Sequence, residues 1–255
     1  MSRARGQDQI FTMPAIARTS PIDRFEDDFD AETPSYHVDM ELDNEAEALA
    51  QLNIPDVVIR RLPIYVRTLT LLQEQDQTSV SSEELARMIG VTAAQIRRDL
   101  SYFGKFGKQG KGYDIAYLRD TIEEILKLDR TWSMVLCGMG KLGHAIANYR
   151  GFRRSSFAIV GLFDADESSP GQEVNGMQIR PMSELAEIVR EEGIRVGIIA
   201  TPRKSAQETA DMLVAGGVEA ILNYAPVILR VPDHVTVREI DPVSALQSMT
   251  YYINE

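Results

Sequence analysis

Residues 136–143 read LCGMGKLG, an apolar run that gives way to three glycines, Gly138, Gly140 and Gly143, spaced G-x-G-x-x-G. In a dinucleotide-binding loop the first glycine permits a tight turn, the second lets a pyrophosphate approach the backbone, and the third lets the helix pack on the strand. The loop follows a strand-like run, SMVLC, and precedes a helix-like run, GHAIANY. A pyrophosphate would therefore meet the free N–H groups at a helix N-terminus, which predicts a Rossmann-like nucleotide site.

An acidic residue ends the next predicted strand, FAIVGLFD. Asp164 lies 21 residues after Gly143, about where a carboxylate hydrogen-bonds the adenosine ribose hydroxyls. An acid there repels a 2′-phosphate, so the expected ligand is NAD(H) rather than NADP(H). From these residues alone two other interpretations stay open: a plain strand-to-helix connection with Asp164 as a solvated strand end, or a coenzyme A-binding domain with a similar loop.

The chain from Trp132 onward alternates predicted strands with predicted helices. The strand-like runs are SMVLCG, FAIVGLFD, RVGIIAT, EAILNYA and HVTVREI, and the helix-like runs between them are GHAIANYRG, MSELAEIVREEG and SAQETADMLVAGG. Such alternation predicts a doubly wound parallel sheet, here over residues 132–240. A last helix over 241–255 is predicted from Asp241 as N-cap and Pro242 in the first turn. Its apolar stripe comprises Val243, Leu246, Met249 and Ile253.

The net charge of −11 is unevenly distributed. Residues 1–53 carry 4 basic and 12 acidic groups and three prolines, which predicts an acidic disordered arm with one short helix near 44–52. Residues 54–113 carry 9 basic and 6 acidic groups. A basic segment between acidic ones is compatible with a nucleic-acid partner that the overall charge conceals.

The basic segment has the outline of a winged helix-turn-helix. Apolar residues recur at helical spacing from Ile59 to Leu72, although Pro63 should kink or restart that helix. Two capping boxes, Ser81 with Glu84 and Thr92 with Gln95, begin two short helices, and Gly90 suits the turn between them. KFGKQGKGY then predicts a tight basic hairpin, and residues 114–131 a linker helix.

The third helix is the candidate DNA reader. Ile96, Leu100 and Phe103 are expected to face the core, which leaves polar side chains outward for base edges and phosphates. Hairpin lysines would add affinity for the backbone without sequence information. The predicted DNA-contacting residues are Gln95, Arg97, Arg98, Ser101, Tyr102, Lys105, Lys108 and Lys111. A solvated helical face and a basic loop remain the simpler interpretation.

Several classes are disfavoured by composition. Apolar runs are strand-sized, no signal pattern is present, and Cys137 is the single cysteine, so a cytoplasmic protein without disulfide, structural metal or membrane span is expected.

The 118 residues from Gly138 to the end suffice for one nucleotide domain and leave none for a substrate domain. His144 and His234 are better explained as surface residues than as acid–base groups. A non-enzyme is predicted, with a dehydrogenase subunit as the alternative.

From Ile54 to Glu255 the chain resembles the Rex redox-sensing transcriptional repressors. The resemblance is carried by PDVVIRRLPIYVR, QIRRDLSYFGKFGKQGKGY, GMGKLGHAIANYRGF, FDAD, NYAP and DPVSALQSMTYYI, in this order. It implies an α/β protein: an N-terminal winged helix-turn-helix domain, then a Rossmann-like doubly wound sheet with a domain-swapped C-terminal helix. It further implies a homodimer that binds palindromic operator DNA when NADH is low and releases it when NADH binds, with NAD+ competing weakly.

The resemblance also implies site residues. Those for NAD(H) are Gly138, Met139, Gly140, Lys141, Leu142, Gly143, Asp164, Thr201, Pro202, Asn223 and Tyr224. As a switch, Arg67 would pair with Asp241 of the exchanged helix, and Tyr149 would take over Asp241 when NADH binds. Two residues depart from the family pattern: Pro242 replaces a bulky apolar residue thought to shield the nicotinamide, and Arg150 replaces a proline. Selectivity against NAD+ would then depend on other groups, such as Tyr224.

Overall fold

The computed structural model describes residues 54–108, 112–152, 155–166 and 171–253. The predicted acidic arm, its short helix near 44–52 and Lys111 lie outside the described residues. Residues from 53 onward cluster as one compact unit. The domain boundaries predicted inside that unit, after residues 113, 131 and 240, therefore stay predictions.

The first part of this unit is a winged helix. Its elements are α1 (Asp56–Glu74), β1 (Ser79–Val80), α2 (Ser82–Ile89), α3 (Ala93–Ser101), β2 (Gly107–Lys108), β3 (Gly112–Asp114) and α4 (Ile115–Ile125). The strands form a three-stranded antiparallel sheet in the order β1-β3-β2, and the β2–β3 hairpin, with Gly107 opposite Tyr113, is the wing. The predicted helix-turn-helix is confirmed, and so is the pairing of the two hairpin strands. Residues 109–111, at the tip of the predicted hairpin, lie outside the described residues.

Local capping explains where the two short helices begin and end. Ser81 Oγ accepts a hydrogen bond from the Glu84 N–H at 3.1 Å, and Thr92 Oγ1 accepts one from the Gln95 N–H at 3.1 Å. Gly90 ends α2 in the left-handed region, at φ +83°, where glycine is favoured. Each cap is the one that the sequence predicted.

One expectation about the helices of this part needs correction. Helix α1 continues through Pro63 without a restart, because its buried face on both sides of the proline is held in the core by Leu62 and Tyr65. Helix α4 lies in the segment predicted as a linker helix, and its apolar residues Ile115 and Leu118 are fully buried in the same core. The helix is therefore present, and its role as a linker stays a prediction.

The second part is built on a seven-stranded sheet. Its elements are β4 (Trp132–Cys137), α5 (Lys141–Ala147), β5 (Phe157–Asp164), β6 (Glu173–Val174), β7 (Met177–Pro181), a 3-10 turn (Met182–Glu184), α6 (Leu185–Glu191), β8 (Val196–Ile199), α7 (Ala206–Gly216), β9 (Ala220–Asn223), β10 (Thr236–Glu239) and α8 (Pro242–Thr250). The strand order is β10-β9-β8-β4-β5-β7-β6, and all strands are parallel except β6. The chain adds strands on the β5 side of β4 first and, from β8 onward, on the opposite side, so the strand order reverses at β4. Ligands bind in the crevice at the carboxyl ends of strands at such a reversal.

The sheet is buried on both faces, as a doubly wound fold requires. Along β4, Met134 and Leu136 lie in one apolar cluster, whereas Val135 and Cys137 lie in the other. Cys137 is fully buried in the core, and this burial raises the pKa of its thiol. No helix in the described ranges is long and apolar enough to cross a membrane.

One hairpin was missed by the sequence reasoning. Strands β6 and β7 are joined by Asn175 and Gly176, both at positive φ, 52° and 79°. An Asn-Gly pair between short apolar runs is a strong hairpin signal because two-residue turns of this kind need positive φ at both positions. The signal is present in EVNGMQI, and β7 extends the parallel sheet beside β5.

Candidate functional site

The three glycines of the loop differ in what surrounds them. A Cβ on Gly138, which has φ +96°, would lie 2.7 Å from the backbone at Ala200 and Thr201, and a Cβ on Gly143 would lie 1.9 Å from the Gly138 carbonyl oxygen. A Cβ on Gly140 would meet no atom of the described residues within 4 Å. The fold itself thus requires the first and third glycines. The open space at Gly140 fits a phosphate group that must approach the backbone closely.

Asp164, at the end of β5, is bonded to the glycine loop. Its Oδ2 accepts a hydrogen bond from the Met139 N–H, and its Oδ1 accepts one from the Asp166 N–H at 2.8 Å. The carboxylate is half-buried and each oxygen has a second lone pair. It can therefore hold the loop and still accept a hydrogen bond from a ribose hydroxyl.

The loop and Asp164 form one side of a cleft of about 540 Å³. Thr201 lines the cleft, and its buried Oγ1 has no hydrogen-bond partner within the part of the chain that the structure describes. An unsatisfied buried hydroxyl favours a bound polar group at this place. The lining residues are Gly138, Met139, Gly140, Lys141, Leu142, Asp164, Ala165, Asp166, Met182, Ala200, Thr201, Pro202, Ser205, Glu208, Thr209 and Met212.

Eight of the predicted NAD(H) residues line this cleft, and Gly143 packs beneath it, but the last two do not. Asn223 is only 1% exposed, and its amide bonds within its own loop, to the Val227 carbonyl oxygen and the Ala225 N–H, both at 2.9 Å. Tyr224 lies outside the lining, and burial together with nearby Tyr149 raises its phenol pKa.

Sequence reasoning also missed the far wall of the cleft. Met182 follows β7. Glu208, Thr209 and Met212 lie in the first two turns of α7, and Ser205 directly precedes that helix. The order of strands could have indicated α7, since the helix after β8 begins at the same sheet edge as the glycine loop.

The three predicted switch residues are separate within one chain. Arg67 is exposed on α1, and Tyr149 is 62% exposed with its ring edge-on to Phe152 at 5.3 Å. Asp241 caps α8: it accepts hydrogen bonds from the Ser244 hydroxyl at 2.7 Å and the Val243 N–H at 2.9 Å, and these lower its pKa. A single chain thus does not join Arg67 to Asp241.

The side chains of α3 are less uniformly outward than predicted. Arg98 and Ser101 are exposed, and Tyr102 is half-buried. Arg97 Nη1 donates to Ser82 Oγ at 2.8 Å and to Glu83 Oε1 at 3.1 Å, so α2 holds it. Gln95 is half-buried because its amide donates to the inward-facing Asp99.

Asp99 forms a buried polar cluster that the sequence reasoning missed. Its fully buried carboxylate accepts hydrogen bonds from Arg61 Nε at 2.5 Å and Nη2 at 2.7 Å, Tyr65 OH at 2.5 Å and Gln95 Nε2 at 2.6 Å. Burial alone would raise the pKa of Asp99, but these donors outweigh it and lower the pKa. The cluster joins the third helix to the first.

A groove of about 600 Å³ separates α3 from the wing. Arg97, Ser101 and Lys105 line it on the polar side, and Phe106 and Tyr113 on the apolar side. Lys105 is exposed. Lys108 lies in β2, but its side chain, like all of Lys111, falls outside the described residues.

Two family models match the chain. A model described as "Putative DNA-binding protein N-terminus" matches residues 53–101, and one described as "CoA binding domain" matches residues 129–227. A winged helix-turn-helix and a Rossmann-like nucleotide cleft in one chain define a DNA-binding regulator that responds to a nucleotide.

This chain belongs to the Rex family of redox-sensing transcriptional repressors. The Rex repressor of Roseiflexus sp. (strain RS-1) is 56% identical over 78% of this chain and 90% of its own, and that of Streptomyces coelicolor is 44% identical over 78% and 77%. A crystal structure of RSP in complex with β-NAD+ and operator DNA shares 38% identity at a TM-score of 0.75, covering 79% of this chain and 93% of that one. The predicted winged helix-turn-helix and Rossmann-like parallel sheet are confirmed, as is the prediction of a regulator rather than an enzyme. The exchange of the C-terminal helix between subunits stays a prediction.

Proposed function

We propose that this protein represses transcription as a homodimer in the cytoplasm, binding palindromic operator DNA when NADH is scarce and releasing it when NADH occupies the cleft. The main support for this proposal is that one compact unit contains both a helix-turn-helix and a cleft whose central glycine, Gly140, faces open space. Among similar proteins, RSP has been crystallised with β-NADH and, separately, with β-NAD+ and operator DNA.

The cleft residues have distinct roles in this proposal. Gly138 and Gly143 shape the loop, the backbone at Gly140 and Lys141 receives the pyrophosphate, and Asp164 accepts from the ribose. Thr201 and Pro202 at the end of β8 lie beside the loop, where the unpartnered Thr201 hydroxyl can bond the ligand. A carboxylate at Asp164 disfavours a phosphorylated ribose, as in NADP(H) or coenzyme A, because like charges repel.

We attribute selectivity for NADH over NAD+ to the low polarity of the cleft walls. The oxidised nicotinamide carries a positive charge, and removing a charge from water into an apolar site is costly. Met139, Met182 and Met212 give the cleft apolar walls. Because Pro242 replaces the usual bulky residue and Tyr224 lies outside the lining of the cleft, we assign selectivity to these apolar walls.

The exposed stripe of α8 supports the dimer. Val243, Leu246 and Met249 are each about 60% exposed, and no residue of α8 is buried in the single chain. An amphipathic helix is stabilised chiefly by burying its apolar face. We assign that face to the partner subunit, where exchange of α8 would also bring Asp241 to Arg67 across the dimer and, with ligand bound, to Tyr149.

The two activities are coupled through dimer geometry. Two recognition helices must reach half-sites about one helical turn apart, or a multiple of it, so closure of the dimer alters the fit to DNA. By linkage, the factor by which NADH weakens DNA binding equals that by which DNA weakens NADH binding. A coupling of about 3 kcal/mol corresponds to roughly 150-fold.

A gel-shift tests the proposal. Palindromic DNA selected by the full-length protein from a random pool is titrated with protein alone and with saturating NADH, NAD+ or coenzyme A. NADH is expected to release the DNA, and NAD+ to do so only weakly. DNA binding that is unchanged by NADH contradicts the proposal; release by coenzyme A instead favours the coenzyme A-binding alternative, and turnover of NADH with a supplied substrate favours the dehydrogenase alternative.

A further inference from the structure

The buried carboxylate of Asp99 contacts one of the residues predicted to read DNA. Gln95 lies one turn before Asp99 on α3, and its Nε2 donates to Asp99 Oδ1 at 2.6 Å. Two further partners, Arg61 and Tyr65, reach the same carboxylate from one face of α1. Asp99 is therefore the point at which a candidate base-reading side chain, the recognition helix and the first helix are joined.

The charge of Asp99 decides how the Gln95 amide is oriented. An ionised carboxylate only accepts hydrogen bonds, so the amide nitrogen of Gln95 must face it. The bidentate contact from Arg61 favours the ionised form. The amide oxygen Oε1 is left to face away from Asp99, together with the second N–H of Nε2.

We infer that Asp99 is a positioning residue for sequence recognition, which fixes Gln95 so that Oε1 and one N–H are presented together to the edge of a base. The inference rests on the proposed function, in which α3 lies in the major groove. An amide that presents an acceptor beside a donor matches the N6 and N7 edge of adenine. Gln95 accordingly specifies an adenine in each half-site.

The neighbouring contact of Arg97 supplies a matched comparison. Glu83 also contacts a side chain of α3, because its carboxylate accepts a hydrogen bond from Arg97. Its side chain is 64% exposed, however, whereas that of Asp99 is fully buried. An exposed pair is mobile and screened by solvent. Removing the Glu83 charge should therefore leave the Gln95 preference intact.

The test measures base preference rather than affinity alone. The full-length protein selects its operator from a random palindromic pool, and its affinity is then measured on duplexes with each base pair replaced symmetrically, at fixed salt. At one base pair per half-site, the wild type should bind the preferred base roughly tenfold more tightly than the others, and Gln95→Ala should abolish this difference. Asp99→Asn, whose amide no longer dictates the orientation of Gln95, should flatten the same position, and the double variant should lose no more than either single one. Glu83→Gln should keep that preference.

A second variant removes the dependence on how well Asp99→Asn folds. The triple replacement Arg61→Met, Tyr65→Phe, Asp99→Leu removes the whole polar cluster and leaves no buried charge, a change that is often neutral or stabilising. It too should lose discrimination at that base pair while binding NADH as the wild type does. A folded variant that keeps the preference overturns the inference, as do independent, additive effects of Gln95→Ala and Asp99→Asn. If the wild type selects no DNA at all, the proposed function itself fails.

Discussion

The backbone N–H of Met139 donates a hydrogen bond to Oδ2 of Asp164, so the glycine loop is joined to the end of the neighbouring strand β5. The other carboxylate oxygen, Oδ1, accepts from the Asp166 N–H. The residue predicted to bind a ribose therefore also shapes the loop that would receive the pyrophosphate. Substitution of Asp164 therefore tests both roles together.

Replacement of Asp164 should weaken NADH binding and spare DNA binding without NADH. Asp164→Ala removes both the loop contact and the ribose acceptor, and we expect at least about a tenfold loss of NADH affinity, since hydrogen bonds to charged groups contribute about 1.5–3 kcal/mol. Asp164→Asn keeps one acceptor oxygen and should lose less. Fluorescence titration with NADH and a gel-shift without it measure the two properties. Loss of DNA binding in Asp164→Ala would mean that the residue is structural.

The glycine loop predicts opposite outcomes for two alanine substitutions. Gly140→Ala meets no atom within 4 Å, so the free energy of unfolding should change by less than about 1 kcal/mol, while NADH binding is lost. Gly143→Ala places a Cβ 1.9 Å from the Gly138 carbonyl oxygen and should destabilise the fold by about 1–3 kcal/mol or more. Thermal unfolding and NADH titration of both variants distinguish the effects. Full NADH affinity in a folded Gly140→Ala variant would exclude a pyrophosphate at this position.

Base recognition and electrostatic attraction to the DNA backbone should depend on different residues of the DNA-binding surface. Arg98→Ala should relax preference at one base pair by about 1–3 kcal/mol, whereas Lys105→Ala should weaken binding to all duplexes alike and reduce the salt slope by about 1. The predicted effect of Lys108→Ala or Lys111→Ala is the same as that of Lys105→Ala. Anisotropy titrations on specific and scrambled duplexes at several salt concentrations measure both. An equal loss on every duplex for Arg98→Ala argues against base contact.

The low pKa of Asp99 predicts a pH dependence of stability. Because the folded-state pKa lies below the ordinary value of 3.8, the contribution of Asp99 is present above that value and is lost as the pH falls through the folded-state pKa. At neutral pH, Asp99→Asn should cost up to about 3–5 kcal/mol, because the partly buried Arg61 loses its charged partner. Urea unfolding of both proteins from pH 7 to pH 3 should show this difference narrowing. Parallel stability curves would contradict an ionised Asp99.

The stripe on α8 predicts the effect of a charge at the proposed dimer interface. Leu246→Glu lies at a position that is 61% exposed in the single chain, so it should leave the fold of one chain intact and convert the dimer to a monomer. Sedimentation velocity measures the oligomeric state, and circular dichroism serves as the folding control. Ser248→Glu, on the same helix but outside the apolar stripe, is the matched control. An unchanged dimer in Leu246→Glu would place the interface elsewhere.

Much of the fold could be predicted because its signals are local. Capping residues such as Ser81 and Thr92 bond to N–H groups three residues away, and alternating strand and helix patterns need no knowledge of distant contacts. The β6–β7 hairpin was missed although its Asn-Gly turn is equally local. By contrast, the continuity of α1 through Pro63 and the packing of α4 were not predictable, because burial by other elements outweighs a local proline or a position between domains.

The residues of the candidate sites also fall into two groups: those that local sequence patterns indicated and those that only the tertiary structure revealed. Spacing indicated Gly138, Gly140, Gly143 and Asp164, since a phosphate-binding loop is one contiguous strand-turn-helix. The wall formed by Met182 and Met212 required the tertiary structure, because these residues are distant in sequence from the glycine loop. Likewise, periodicity placed Gln95 outward, and only the packing of α3 on α1 bonded it to Asp99.

Local patterns in the amino-acid sequence specified most of the elements, the helix caps, the glycine loop and the family, because each depends on residues close together in the chain or on motifs in a fixed order. Which side chains share a site depended on tertiary packing. Asp99 and Arg61 are 38 residues apart, and Asp164 and Met139 are 25 apart; no local pattern pairs them. Their pairing depends on how helices and strands pack, since burial leaves a polar side chain only the partners that the fold brings within hydrogen-bonding distance.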